Sequence, residues 1–178
     1  MFKIILAVMV FTLAACSENS NKSTANSAVD ANEVNTAESS DFSFIADDNL
    51  RSCLDNSGMT VESVHTLVCS GKGVQSLEGM EQLSALKNIN LSHNKLSDLS
   101  PLAEVKGLQV LYATNNQIES VAALEALPEL NAISLRANLL SDADVFYTLP
   151  QLEKLYVQDN AELDLDADKL SQSVIVAI

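Results

Sequence analysis

Glycine is scarce in this chain: five residues scattered along 178 are too few to build a glycine-rich phosphate loop. Histidine is scarcer still. Neither His65 nor His93 has a serine or thiol set up beside it, and two histidines make no metal-binding cluster. Basic residues are outnumbered, ten Lys and Arg against 24 Asp and Glu, which leaves a formal charge of −14 with histidine neutral. That balance disfavours nucleic acid and anionic membrane surfaces as partners, and it keeps a surface protein soluble. Three cysteines, Cys16, Cys53 and Cys69, lack the CxxC spacing of redox and zinc motifs. The apolar run from Ile4 to Leu13, interrupted by Thr12, falls short of the roughly 20 apolar residues a membrane-spanning helix needs. These shortages argue against an enzyme, a cofactor or a resident metal.

What is present begins with an export signal over residues 1–15. Lys3 supplies its positive start, the short apolar run follows, and Leu13-Ala14-Ala15 precedes Cys16. That ending resembles a bacterial lipobox. The resemblance implies cleavage before Cys16 and lipid on its thiol and new amino terminus. Ser17, next to it, resembles the sorting signal that sends such proteins to the outer membrane. Residues 16–40 are mostly Ser, Asn, Thr, Ala and Glu, with almost no large apolar side chain. Such a segment cannot bury enough surface to offset its ordering entropy, so a disordered tether is expected there.

Beyond the tether the chain repeats itself. Asn94, Asn116, Asn138 and Asn160 are 22 residues apart, and Leu86, Leu108, Leu130 and Leu152 keep the same step. So do Ile89, Leu111, Ile133 and Leu155, and two residues further on Leu91, Ala113, Leu135 and Val157. A fixed period in this range marks stacked supersecondary units, none of which buries its apolar face alone, and favours binding over catalysis. Within one unit Ile89 and Leu91 alternate with Asn88, Asn90 and Ser92, the period-two pattern of a short half-buried strand. Leu99, Leu102 and Val105 step by three, which fits a helical or 3₁₀ return. Ser76, Asp98, Ser120, Asp142 and Asp164 stand just before each return, where a side-chain oxygen can accept orphan amides. Pro101 suits a first helical turn, and Pro128 and Pro150 close two others. The asparagines are expected to be scaffold, each carboxamide satisfying backbone groups where a strand bends into its turn.

The unit Leu86-x-x-Ile89-x-Leu91-x-x-Asn94-x-Leu96-x-x-Leu99-x-x-Leu102-x-x-Val105 resembles the leucine-rich repeat, in the 22-residue subclass of internalins and bacterial surface lipoproteins. The likeness covers residues 64–160. It implies an α/β solenoid: a right-handed coil of about five repeats, with short parallel strands on a concave face and helical or 3₁₀ turns on the convex one. Residues 64–162 form the repeats. The first is degenerate, keeping Val64, Leu67, Cys69, Val74, Leu77 and Met80 but carrying Lys72 at the asparagine position, as a terminal coil can. Residues 41–63 read as an N-terminal cap whose helix starts at Asp47 or Asp48, shares Leu50, Cys53 and Leu54 on one face, and ends near Gly58. In an exported protein the pair Cys53 and Cys69 reads as a disulfide pinning that helix to the first strand. Residues 163–178 form a closing coil, with a last strand over 174–178 of open register. Its alternating aspartates, Asp164, Asp166 and Asp168, do not make a calcium loop, because Lys169 and Ile175 fall where glycine and glutamate belong.

Solenoids of this family use the strand residues that point out between the buried ones. Three such ladders run across the repeats: Thr66, Asn88, Val110, Ala132 and Lys154; then Val68, Asn90, Tyr112, Ser134 and Tyr156; then Ser70, Ser92, Thr114, Arg136 and Gln158. Tyr112, Arg136 and Tyr156 are residue types enriched in binding hot spots. The expected binding face is Asn90, Tyr112, Thr114, Ser134, Arg136, Lys154, Tyr156 and Gln158. Its expected work is that of a monomeric, lipid-anchored module of the bacterial cell envelope that binds a protein or peptide. A structural lipoprotein without a discrete ligand, and a regulatory or inhibitor subunit acting through the acidic rim, are the alternatives.

Overall fold

Three-residue strands recur at the repeat step in the computed structural model, which describes residues 41–177. The expected export signal, Cys16, the expected tether and Ile178 lie outside the described residues. The strands are β1 (Thr66–Val68), β2 (Asn88–Asn90), β3 (Val110–Tyr112), β4 (Ala132–Ser134), β5 (Lys154–Tyr156) and β6 (Ile175–Ala177). They form one sheet in sequence order with every neighbour parallel. A parallel neighbour needs a crossover, and each return turn supplies one, so the chain winds as a solenoid. Leu67, Ile89, Leu111, Ile133 and Leu155 stack in register at the middle of each strand. All five are 2 % exposed or less, because one inward position per coil must face the same position above and below.

The last step differs. β6 pairs Ile175 with Lys154 and Val176 with Leu155, so this coil advances 21 residues where the others advance 22. The expected terminal strand therefore exists and its register is set. The N-cap positions of the first four returns, Gly79, Leu99, Val121 and Ala143, make no side-chain cap bond; the expected capping residues stand before them and close turns there. Ser76, Asp98, Ser120 and Asp142 accept from the N–H two residues on, at 3.1, 2.8, 3.3 and 2.8 Å. In the last coil Asp166, not Asp164, caps the turn Ala167–Lys169, through the Asp168 N–H at 3.1 Å.

Return segments are short: 3₁₀ turns at Met80–Gln82, Ser100–Glu104 and Ala122–Ala126, then a brief α-helix at Asp144–Thr148. Pro101 sits in the first turn of its segment, while Pro128 and Pro150 follow the last turns of theirs.

The four asparagines tie successive coils together, and each is 9 % exposed or less. Asn116 donates to the carbonyls of Leu91 and Ala113 at 3.1 and 3.0 Å and accepts from the Leu96 N–H at 3.0 Å. Asn138 and Asn160 repeat the pattern one and two coils later. Asn94 goes further, its Oδ1 accepting from Lys72, Gly73 and Val74 N–H at 3.0, 2.9 and 3.1 Å. The residue just before each asparagine takes a left-handed backbone, His93 at φ 60°, Asn115 at 56°, Ala137 at 52° and Asp159 at 63°, and so does Gly71, at 67°, before Lys72 in the first repeat. Alanine has neither glycine's freedom nor a side-chain hydrogen bond to offset that conformation. Ala137→Gly is therefore expected to stabilise the fold by about 0.5–1 kcal/mol, the relieved strain exceeding the added freedom of the unfolded chain. A urea midpoint that falls would show the left-handed site to be unstrained.

The cap is helix α1 (Asp48–Asp55), with Leu50 and Leu54 fully buried against the first coil. Asp47 is its N-cap: Oδ1 accepts from Asn49 and Leu50 N–H at 2.9 and 3.0 Å. Its other oxygen takes the Gln75 and Ser76 N–H groups at 2.8 and 3.3 Å, so one carboxylate starts the helix and docks it. Burial works to raise this carboxyl's pKa, but the backbone donors Gln75, Leu50, Ser76 and Asn49 outweigh it and hold the group below the usual aspartate range. Cys53 and Cys69 are joined, with Cα atoms 5.8 Å apart. The cap chain also presses on Gly79, at φ 99°, where a Cβ would overlap the Phe44 carbonyl.

Candidate functional site

Outward positions of β1 to β5 and the second residue after each strand build the concave face. Adjacent strands lie about 4.8 Å apart, so five strands span about 20 Å. In the middle ladder Tyr112, Ser134 and Tyr156 stand in register, which puts the two tyrosines about 10 Å apart with the serine between them. Tyr112 is 41 % exposed and Tyr156 is half-buried. Ser134 is buried and its hydroxyl pairs with Thr114 at 2.9 Å, so it shapes the floor between the rings. Asn90 turns its Oδ1 onto the Ser92 N–H at 3.0 Å, and Ser70 donates to the Ser92 carbonyl at 2.8 Å. The polar residues on this face thus spend much of their bonding on the sheet itself.

Two charges stand on the face, Arg136 and Lys154, both exposed. Ion pairs among the described residues join Arg51 to Asp48, Lys87 to Glu129, Lys106 to Glu104 and Lys169 to Asp166; Arg136 and Lys154 form none. Gln158 follows β5, its Oε1 buried without a donor among the described residues. On the rim before the strands, the Gln109 amide and then the Lys87 ammonium hold the Glu129 carboxyl below its usual range. His93, on the other rim, is exposed and meets the Asn115 amide at 3.1 Å, which makes it a turn residue.

Val68 belongs to the middle ladder but is not a residue type that marks binding by itself. The structure leaves it 65 % exposed, next to a shallow recess of about 160 Å³ lined by Thr66, Leu67, Val68, Asn88, Ile89, Asn90, Val110 and Tyr112. Its outward place in β1 was the available signal, since an apolar side chain there has no buried counterpart. Away from the sheet, Asp142, Asp144, Asp164 and Asp166 gather with Tyr147 and Lys169 on the return side of the last two coils. The Tyr147 hydroxyl accepts from the Asp166 N–H at 2.9 Å, so this group works as a closing contact.

A parallel sheet wound at this period defines a leucine-rich repeat solenoid. The family model described as leucine-rich repeat and WD repeat-containing protein 1, LRR, matches residues 53–175, more than half of the chain, and the chain belongs to the leucine-rich repeat family. No curated protein matches it. Among solved structures the chain is similar to an internalin (inlF) from Listeria monocytogenes, at 27 % identity and a TM-score of 0.68 over 80 % of this chain and 46 % of that one. It is also similar to a leucine-rich repeat protein from Leptospira interrogans, at 22 % identity and a TM-score of 0.53, over 58 % of this chain and 28 % of that one. The functional domain of InlJ from Listeria monocytogenes, which includes a cysteine ladder, is 19 % identical with a TM-score of 0.51, over 71 % of this chain and 35 % of its own. The last two likenesses concern the fold alone. The chain thus spans less than half the length of each of these neighbours. Leucine-rich repeat folds serve in general as protein-binding modules and are typically non-enzymatic.

Proposed function

We propose that this chain is a lipid-anchored recognition module of the bacterial cell envelope, of the internalin-type 22-residue subclass, and that it binds a protein or peptide through the concave face. It acts as a monomer, without catalysis. Anchoring through Cys16, and placement at the outer membrane, rest on the lipobox-like Leu13-Ala14-Ala15-Cys16 and on Ser17. The subclass rests on the 22-residue step together with the internalin neighbour. The observation that carries the binding reading is the face itself: exposed Tyr112 and Arg136 with half-buried Tyr156, arrayed on strands too short to bend independently.

Replacing Tyr112, Arg136 and Tyr156 together by alanine is expected to abolish specific crosslinks made from this face in cells and read by mass spectrometry. The unfolding midpoint should barely move, because none of the three is fully buried. An unchanged set of crosslinked partners would reject the face. In the same cells Cys16→Ser should move the protein from the membrane fraction to the soluble one, and retention in the membrane would reject the anchor.

A further inference from the structure

Charge is distributed unevenly between the sheet and the rest of the molecule. The chain carries 24 acidic residues, yet none of the fifteen ladder positions, three for each of five strands, holds one. The two charged residues there, Arg136 and Lys154, are both basic and lack an ion pair among the described residues. Acidity for solubility alone would have no reason to spare one face. Carboxylates return at once on the rims of β5, as Glu153 and Asp159.

Apolar exposure is concentrated on the same side. Of the large apolar residues left exposed, Val68, Tyr112 and Ile175 lie on outward strand positions, and Leu139 lies elsewhere. The recess beside Val68 sits at the β1–β3 end, and the two cations sit at the β4–β5 end. From the middle of the recess to Arg136 is two strands across and two residues along, about 12 Å, or roughly three to four residues of extended chain; Lys154 is three strands across and two residues the other way, about 16 Å, or about five residues.

Resting on the concave-face reading, we propose that the ligand is a short acidic segment of a protein, an extended peptide or loop, with an apolar side chain in the Val68–Tyr112 recess and carboxylates about three to five residues away on Arg136 and Lys154. Two local cations inside an acidic rim suit a few carboxylates. A long polyanion such as nucleic acid would be repelled by the net charge around them, over the roughly 8 Å that charge acts at physiological salt. Recognition then divides into burial at one end, which sets affinity, and charge at the other, which sets orientation and rejects basic sequences.

The test is selection of a phage-displayed library of random 12-residue peptides on the immobilised full chain. Enriched peptides are expected to place Asp or Glu about three to five positions from Leu, Ile, Phe or Tyr. Binding of the best synthetic peptide should weaken at least about tenfold in Arg136→Ala/Lys154→Ala and several-fold in Val68→Ser, and fall as salt rises. Arg136→Glu/Lys154→Glu should shift the preference toward basic peptides. All the side chains changed are exposed, and unchanged far-UV circular dichroism would certify each variant. Enriched peptides that depend on Tyr112 and Tyr156 but show no acidic excess would overturn the acidic ligand while leaving the binding face standing. No enrichment over a blank surface, or enrichment indifferent to all of these substitutions, would overturn both.

Discussion

Asn94→Ala is expected to lower the unfolding free energy by about 4 kcal/mol, more than the same change at Asn116, Asn138 or Asn160, each of which should lose about 2–3 kcal/mol. The difference comes from position in the stack. In an inner coil the residue after the asparagine has a preceding coil to bond: Lys95 N–H reaches the Val74 carbonyl at 2.9 Å and Gln117 N–H reaches Leu96 at 2.8 Å. Gly73, the counterpart of Lys95 in the first repeat, has no earlier coil. Its N–H turns to Asn94 Oδ1 together with those of Lys72 and Val74, while Nδ2 still bonds the Cys69 and Leu91 carbonyls at 2.8 Å each. Alanine would leave three amides and the Cys69 carbonyl to find water, since Asn116 still reaches the Leu91 carbonyl; at Asn116 it would leave one amide, because Asn94 and Asn138 still hold the Leu91 and Ala113 carbonyls. Parallel urea titrations of the four variants decide the matter. Equal losses at all four positions would mean that the first turn is satisfied by other means.

The same dependence on neighbours explains what was legible in the sequence. Asparagine and leucine columns were legible because a solenoid imposes one environment at one step, so identical chemistry recurs at identical spacing. The disulfide pairing needed only the expectation of export and two leftover thiols. The step of 21 into β6 was hidden, because apolar residues run together at Val174, Ile175, Val176 and Ala177 and fit more than one register. The shift of the last coil's cap from Asp164 to Asp166 has the same origin, because alternating aspartates offer several equivalent acceptors. On the concave face the ladder order was legible but exposure was not. Ser134 is buried because Tyr112 and Tyr156 flank it and Thr114 engages its hydroxyl, and Val68 is exposed because a coil at the end of the sheet has a neighbour on one side only. Such accessibilities belong to residues 22 apart, not to any local pattern.

Removing the disulfide, by reductant or by Cys53→Ala/Cys69→Ala, is expected to cost about 3 kcal/mol, which for a chain of this size is a fall of about 6–12 °C in melting temperature. The bond closes a loop of 16 residues in sequence separation, from the last turns of α1 to the residue after β1. Its absence returns that loop's freedom to the unfolded chain. The cap would not be released outright: Asp47 still holds Gln75 and Ser76, and the Ala46 N–H still reaches the Glu78 carbonyl at 3.1 Å. In a stack that touches only its neighbours, the loosening should stay local. Amide exchange is therefore expected to quicken in α1 and β1 on reduction and to remain unchanged in β3 to β5. Val68 immediately precedes Cys69, so the apolar end of the concave face should soften while Arg136 and Lys154 keep their places. Uniform quickening along all six strands would show the coils to be coupled more strongly than nearest-neighbour stacking allows. An unchanged melting temperature would mean that Leu50 and Leu54 hold the cap unaided.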